Sequence, residues 1–361
     1  MTAAETAFLE LLRKGLEGRE PDHRLFGELA EPDWESIYGM AKRQTVCGVC
    51  YGSFCRLPDP LLPGGSLLPR WVARVNAIET RNAGMQRALS ELISMFRQAG
   101  LHPVVQKGLS VARFYGNPEL RESGDIDLWL PGDELRRGTA IVSELDSTPV
   151  RHPDGSISFS YKDFVVEFHR TLVNISNPVV ALRLDAYARR QCVAGGYGRE
   201  AIPSPAPLLE MLLLDVHIMR HAFGNGVGLR QVCDYVLAAR ALDGKYDRRE
   251  FGHWCHVLGI SRWTALLNEY AVTLLDADPA ALPPPGREAK GRLPVGKLHD
   301  IITQGGNFGQ HLKGRASRPG RSRGSKLRTL AMFARRSRFA AAVAPAEAFW
   351  NFVRLMAGQI H

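Results

Sequence analysis

The sequence predicts an α+β fold in which a small mixed β-sheet is flanked by N-terminal and C-terminal helical regions. Two observations carry this. Apolar residues recur at helical spacing through residues 1–100 and again after Pro203. Between Pro103 and Arg170, by contrast, short apolar or alternating segments have the period of strands. The chain has 361 residues, of which 45% are hydrophobic and 23% charged, so it can bury a sizeable core and is globular in composition. Four regions are expected: a helical region over 1–100, an α/β core over 101–200, a second helical region over 201–281, and a basic linker with terminal helices over 282–361.

In the first region Phe8, Leu9, Leu12 and Leu16 form one stripe, and Pro32-Asp33-Trp34 opens a second helix through Ala41. Cys47 and Cys50 have the spacing of a metal or redox pair, with Cys55 nearby. No second such pair follows and no strand precedes them, so a packed helix is expected instead. After a Pro/Gly-rich loop a long helix should run from about Arg70 to Gln98, with Gly100 as its C-cap. A strand at 103–105 then leads through a Lys-Gly turn into a helix from about Leu109 to Tyr115. A second strand carries Asp125-Ile126-Asp127, and a helix starting at Pro131-Gly132-Asp133 follows. Ile157–Tyr161 and Phe164–Arg170, joined by Lys162-Asp163, read as a β-hairpin. Helices are expected again from Pro203 to about Asp276, at 297–303 and from Pro345 to Met356.

The chemistry-bearing residues concentrate in the strand-rich part. Alternate side chains on a strand share a face, so Asp125 and Asp127 project together while Ile126 and Leu128 turn to the core. Adjacent carboxylates repel and cost desolvation unless a cation lies between them. Glu167, on the second hairpin strand, adds a third acid, and His169 shares its face. Three such acids can hold two Mg²⁺ ions, a set suited to phosphoryl or nucleotidyl transfer. Gly108 lets backbone amides approach a phosphate at a helix start. Lys107 and Arg121 add positive charge, and Ser110 and Ser123 add hydroxyl donors.

These residues carry a resemblance. A Gly-containing turn, a D-x-D strand and a later acid resemble the polymerase-beta-like nucleotidyltransferase superfamily. More narrowly, the chain is similar to a poorly characterised bacterial branch with a Lys-Gly turn and an R-x-x-x-D-I-D-L strand. The matching residues are Lys107-Gly108, Arg121 to Leu128, Glu167-Phe168-His169, Leu229-Arg230-Gln231 with Asp234, His217, and Gly306 to Gly309. The resemblance implies transfer of a nucleoside monophosphate from an NTP, with ATP the expected donor, to a hydroxyl acceptor on a small molecule, protein or RNA. It implies Asp125, Asp127 and Glu167 as catalytic metal ligands, with Lys107, Gly108, Ser110, Arg121 and Ser123 on the triphosphate. The wider superfamily has Gly-Gly or Gly-Ser at the turn, where this chain has Lys107-Gly108-Leu109. Either Ser110 or a backbone amide would then meet the phosphate.

The helical region after residue 200 is the expected acceptor side. His217 and His221 stand one turn apart there, without the third ligand that zinc would need. They join His169 as substrate-side candidates, and the resemblance adds Arg230 and Asp234, which otherwise read as a helix-surface pair. The net charge of +9 favours an anionic partner. The basic segment 313–336 is a possible polyanion contact or else a solvated linker. The first twenty residues lack the apolar core of a secretory signal, and no run of about 18 or more apolar residues marks a membrane span. With scattered cysteines, a cytoplasmic location is expected. The rival expectation is a transferase-like protein that binds nucleotide or nucleic acid without chemistry.

Overall fold

A computed structural model describes residues 1–145, 148–152, 154–194, 202–224, 226–287, 291–305 and 336–357. The chain gathers into two compact units. One comprises Met1–Lys42, Val46–Leu172 and Asp185–Leu213; the other comprises Arg43–Thr45, Val173–Leu184 and Leu214–His361. The architecture is α+β, and no helix among the described residues is long and apolar enough to cross a membrane.

The first unit begins with helices α1 (Ala3–Glu17), α2 (Glu31–Arg43), α3 (Cys47–Phe54) and the long α4 (Leu67–Gln98). Thr2 and Glu5 close a reciprocal capping box on α1, and Gly18 ends it in the left-handed conformation. The Cys47/Cys50 segment is the packed helix its surroundings suggested. Both cysteines are fully buried, and burial pushes the Cys47 thiol up to about 12, which disfavours its thiolate.

Five strands follow: β1 (Val104–Gln106), β2 (Ile126–Trp129), β3 (Val150–Arg151), β4 (Ile157–Tyr161) and β5 (Phe164–His169). Their spatial order is β1-β2-β5-β4-β3. The expected hairpin is β4–β5, pairing Tyr161 with Phe164, and Lys162 takes a φ of 51° in its turn. The sheet is mixed because β2 and β5 run parallel while the other neighbours are antiparallel. Helix α6 (Glu134–Glu144) supplies the crossover between β2 and the hairpin. Met85, Leu89, Leu92, Ile93 and Phe96 of α4 pack on Val105, Ile126, Leu128, Val166 and Phe168 of the sheet. Phe168 is held edge-on by Phe96 and Phe159, at 5.6 and 4.8 Å between ring centres.

The sequence reading left α7 (Pro178–Ala194) and the short β3 unassigned. Val179 and Leu182 of α7 are 62% and 73% exposed, so the helix carries apolar residues without an apolar stripe. Further small differences lie at element ends. Residue Asp125 precedes β2, α4 starts three residues before Arg70, and the turn helix α5 (Lys107–Ala112) is shorter than expected.

The second unit contains the end of α8 (Pro207–Phe223), followed by α9 (Leu229–Leu242), α10 (Arg248–Leu258), α11 (Ser261–Leu275) and α12 (Val295–Gly305). Helices over 336–343 and Pro345–Ala357 complete its described residues. Asp215 of α8 is fully buried and accepts a 2.6 Å bond from Thr264 Oγ1, while its other oxygen has no hydrogen-bond partner. Burial raises this carboxyl to about 7.

Two stability predictions follow from these contacts. A Cβ on Gly48 of α3 would lie 2.2 Å from the Leu120 carbonyl oxygen, so Gly48→Ala should lower stability in urea unfolding by about 1–3 kcal/mol. Between about pH 4 and 7 the folded state keeps an Asp215 proton that the unfolded chain has released. Stability should therefore fall as pH rises across that window and level off above it, by roughly 4 kcal/mol at most from this group. In Asp215→Asn, unfolding at pH 5 and pH 8 should show a flatter dependence; an unchanged slope would contradict the assignment.

Candidate active site

The parallel pairing of β2 with β5 sets Asp127 opposite Glu167 and Trp129 opposite His169. Side chains alternate along each strand, so Ile126, Leu128, Val166 and Phe168 enter the core while Asp127, Glu167 and His169 share the other face. One ligand atom from each of these three lies within 4.8 Å of the other two. His169 Nε2 stands 2.5 Å from Asp127 Oδ1 and 3.7 Å from Glu167 Oε2. Glu167 also accepts a 2.7 Å bond from Ser156 Oγ, which is in turn held by Asp154. The Asp127 side chain is 6% exposed, against 17% for His169 and 26% for Glu167.

Lys107 supplies the neutralising charge. It follows β1, whose Gln106 pairs with Asp127, and its backbone enters the left-handed region at a φ of 47°. That conformation is uncommon for a residue with a Cβ. Here it accompanies a 3.1 Å bond from the ammonium to Asp127 Oδ1. Burial would lower the Lys107 pKa, but the charges of Asp127 and Asp125 raise it above the ordinary lysine range. Burial likewise opposes the Asp127 charge, yet the Lys107 ammonium and the His169 hydrogen bond hold that carboxyl well below the usual range.

Both partners take the same oxygen, so Asp127 Oδ2 has no hydrogen-bond partner among the described residues. An ionised, buried carboxylate with one uncommitted oxygen, beside a second carboxylate and an imidazole, fits a divalent cation. Asp127, Glu167 and His169 are the residues that would hold it.

The remaining predicted residues divide. Gly108 kinks the start of α5 at φ 14° and ψ −96°, and the Arg121 guanidinium lies about one van der Waals contact from where its Cβ would be, at 3.9 Å. Arg121 is 3% exposed and donates to Ser123 Oγ at 3.2 Å, so these two and Gly108 form one patch. Asp125 is partly exposed and acts on Lys107 through its charge; it is not one of the three clustered ligands. Ser110 is fully buried, donates to Glu210 at 2.8 Å and accepts from Arg113 at 2.6 Å. It belongs to an internal network with Arg113, Ser204 and Glu210.

The loop carrying Arg121 is fixed from α4. Asn82 Nδ2 donates to the carbonyls of Glu119 and Arg121, Arg81 to that of Gly124, and Arg74 pairs with Glu122 at 2.6 Å. Glu122 also accepts from the Cys47 amide, which ties α3 to the same loop.

The site thus joins a carboxylate pair on parallel neighbours, a half-buried lysine at the preceding turn and an arginine loop braced by a long helix. The model of a family described as uncharacterised nucleotidyltransferases matches residues 30–276. The chain belongs to that family. The matched span includes every candidate residue from Lys107 to Asp234. No curated protein and no solved structure matches the chain.

The other candidates lie in the second unit. His217 and His221 pack edge to face, 4.3 Å between ring centres, and do not belong to any metal-competent group among the described residues. Arg230 and Asp234 are buried on α9, at 6% and 3% exposure. Gly306 to Gly309 and the basic segment 313–335 lie outside the described residues. Ser156 escaped the sequence reading, although its place just before β4 could have suggested a contact across the hairpin.

The Ser110 network generates a test. Ser110→Ala should lower stability by about 1–3 kcal/mol by stranding buried Glu210 and Arg113 groups, while nucleotide affinity measured by calorimetry stays within about twofold. A loss of affinity at unchanged stability would place the hydroxyl on the phosphate instead.

Proposed function

We propose that the protein transfers a nucleoside monophosphate from an NTP, with ATP as the expected donor, to a hydroxyl acceptor. The observation that carries this reading is the parallel register that sets Asp127 beside Glu167 with the Lys107 ammonium on the same buried carboxylate. Such a site has one anionic pole and one cationic edge, as expected where a triphosphate is bound through a divalent ion.

In the reaction, an acceptor oxygen forms a bond to the α-phosphorus while the bond from that phosphorus to the β-bridging oxygen breaks and pyrophosphate departs. A divalent ion at the carboxylates would supply electrostatic stabilisation of the phosphoryl oxygens. Lys107 has alternative partners in Asp127 and an incoming phosphate, so it can follow negative charge as the triphosphate enters. Arg121, fixed by its loop's bonds to α4, presents a guanidinium beside Gly108. Gly108 leaves space for the phosphate chain to approach the backbone. Glu167 is the most exposed of the three clustered residues and is the group that an acceptor hydroxyl can reach, so it takes the hydroxyl proton. Asp125 adds negative charge at the start of β2.

The test is label transfer. Full-length protein incubated with a divalent salt, cell extract and ATP labelled at either the α- or γ-phosphate should attach α-label and no γ-label. Asp127→Asn should reduce the rate by at least about 100-fold. Transfer of γ-label, or an unimpaired Asp127→Asn enzyme, would refute the reading.

A further inference from the structure

Carboxylates alone make a site suited to Mg²⁺, which prefers oxygen ligands and keeps much of its water. Here the face presented by β2 and β5 is not oxygen alone. His169 lies two residues beyond Glu167 on the same face of β5, and its Nε2, rather than an edge carbon, is turned toward both carboxylates. The two distances from that nitrogen, 2.5 Å to Asp127 and 3.7 Å to Glu167, bracket the roughly 3 Å that separates neighbouring ligand atoms around an ion with bonds of about 2.1 Å. The Nε2 contacts therefore lie within about 1 Å of that spacing, and the three ligand atoms all lie within 4.8 Å of one another.

We propose that His169 is a metal ligand, completing with Asp127 and Glu167 a mixed nitrogen–oxygen site that selects Mn²⁺ over Mg²⁺. The inference rests on the transferase reading for the site's role but not for its chemistry. Imidazole nitrogen favours first-row transition ions, and Mn²⁺ is the one among them that is also at home with carboxylate and phosphate oxygens. Lys107 keeps its place on Asp127 Oδ1 until phosphate arrives, while Asp127 Oδ2 has no competing hydrogen bond to break. His169 thereby sets which ion the site takes.

The experiment uses the full chain and Mn²⁺ alone, without nucleotide. Loss of the free-ion electron paramagnetic resonance signal gives Mn²⁺ affinity, competition gives Mg²⁺ affinity, and pulsed measurement reports coupling to ¹⁴N. The wild type should bind Mn²⁺ at least about tenfold more tightly than Mg²⁺ and show histidine nitrogen coupling. His169→Gln should lose the coupling and at least about tenfold in Mn²⁺ affinity, with a much smaller change for Mg²⁺. Equal binding of the two ions without nitrogen coupling, or unchanged Mn²⁺ affinity in His169→Gln, would overturn the proposal. If that variant does not fold, Mn²⁺-induced broadening of the assigned His169 ring resonances in wild type decides, with its absence counting against the ligand. A chain that binds Mn²⁺ through His169 but transfers no α-label would retire the transfer reading alone. A chain that transfers label with Mg²⁺ and shows no nitrogen coupling would retire this proposal alone.

Discussion

A carboxylate removed from water beside a second carboxylate has to be matched by positive charge, and the organisation of the first unit follows from meeting that requirement at Asp127. The residue is 6% exposed and stands in register with Glu167 across a parallel strand pair. Lys107 supplies that charge from the turn after β1, and His169 adds a hydrogen-bond contact from the end of β5. Without those partners the desolvation cost would protonate the acid or loosen the sheet. With them the carboxylate stays charged, and a cation held by Asp127, Glu167 and His169 would compensate the acid when Lys107 turns to an incoming phosphate. Charge balance thus links the folded resting state to the proposed reactive one.

The arrangement is held by rigid elements rather than by the site itself. On one face of the sheet, α4 packs an apolar row against Ile126, Leu128, Val166 and Phe168, which fixes the strand positions. The same helix reaches the loop before β2 through Arg74, Arg81 and Asn82. That loop carries Arg121 and Ser123. One helix therefore sets both the carboxylate strands and the cationic loop, so displacement at its buried face would alter the site without touching a reacting group.

Much of this was legible in the sequence where the signal is local. The Ile-Asp-Leu and Glu-Phe-His alternations state which side chains share a face, although Asp125 falls before β2 and outside the cluster, and the two-residue Lys162-Asp163 connection states the hairpin register. That β5 neighbours β2 could be expected from the sequence, but the parallel register that sets Asp127 opposite Glu167 was not legible, because the pairing crosses about forty residues and depends on how α4 covers the sheet. Ser110 shows the same limit. Its place near a helix start suggests a phosphate donor, but its actual partner, Glu210, lies a hundred residues away in sequence. Helix α7 gave no amphipathic stripe because Val179 and Leu182 face solvent. His169 was visible on the face of Glu167, yet only the folded distances move it from a substrate-side residue to a member of the charged cluster.

The most direct measurement is a crystal structure of the full chain with a non-hydrolysable NTP and Mn²⁺. The account predicts an ion held by Asp127, Glu167 and His169, the α-phosphate beside it, and the Lys107 ammonium transferred from Asp127 to a phosphate oxygen. A nucleotide bound away from β2 and β5, with the Lys107–Asp127 pair undisturbed, would contradict it.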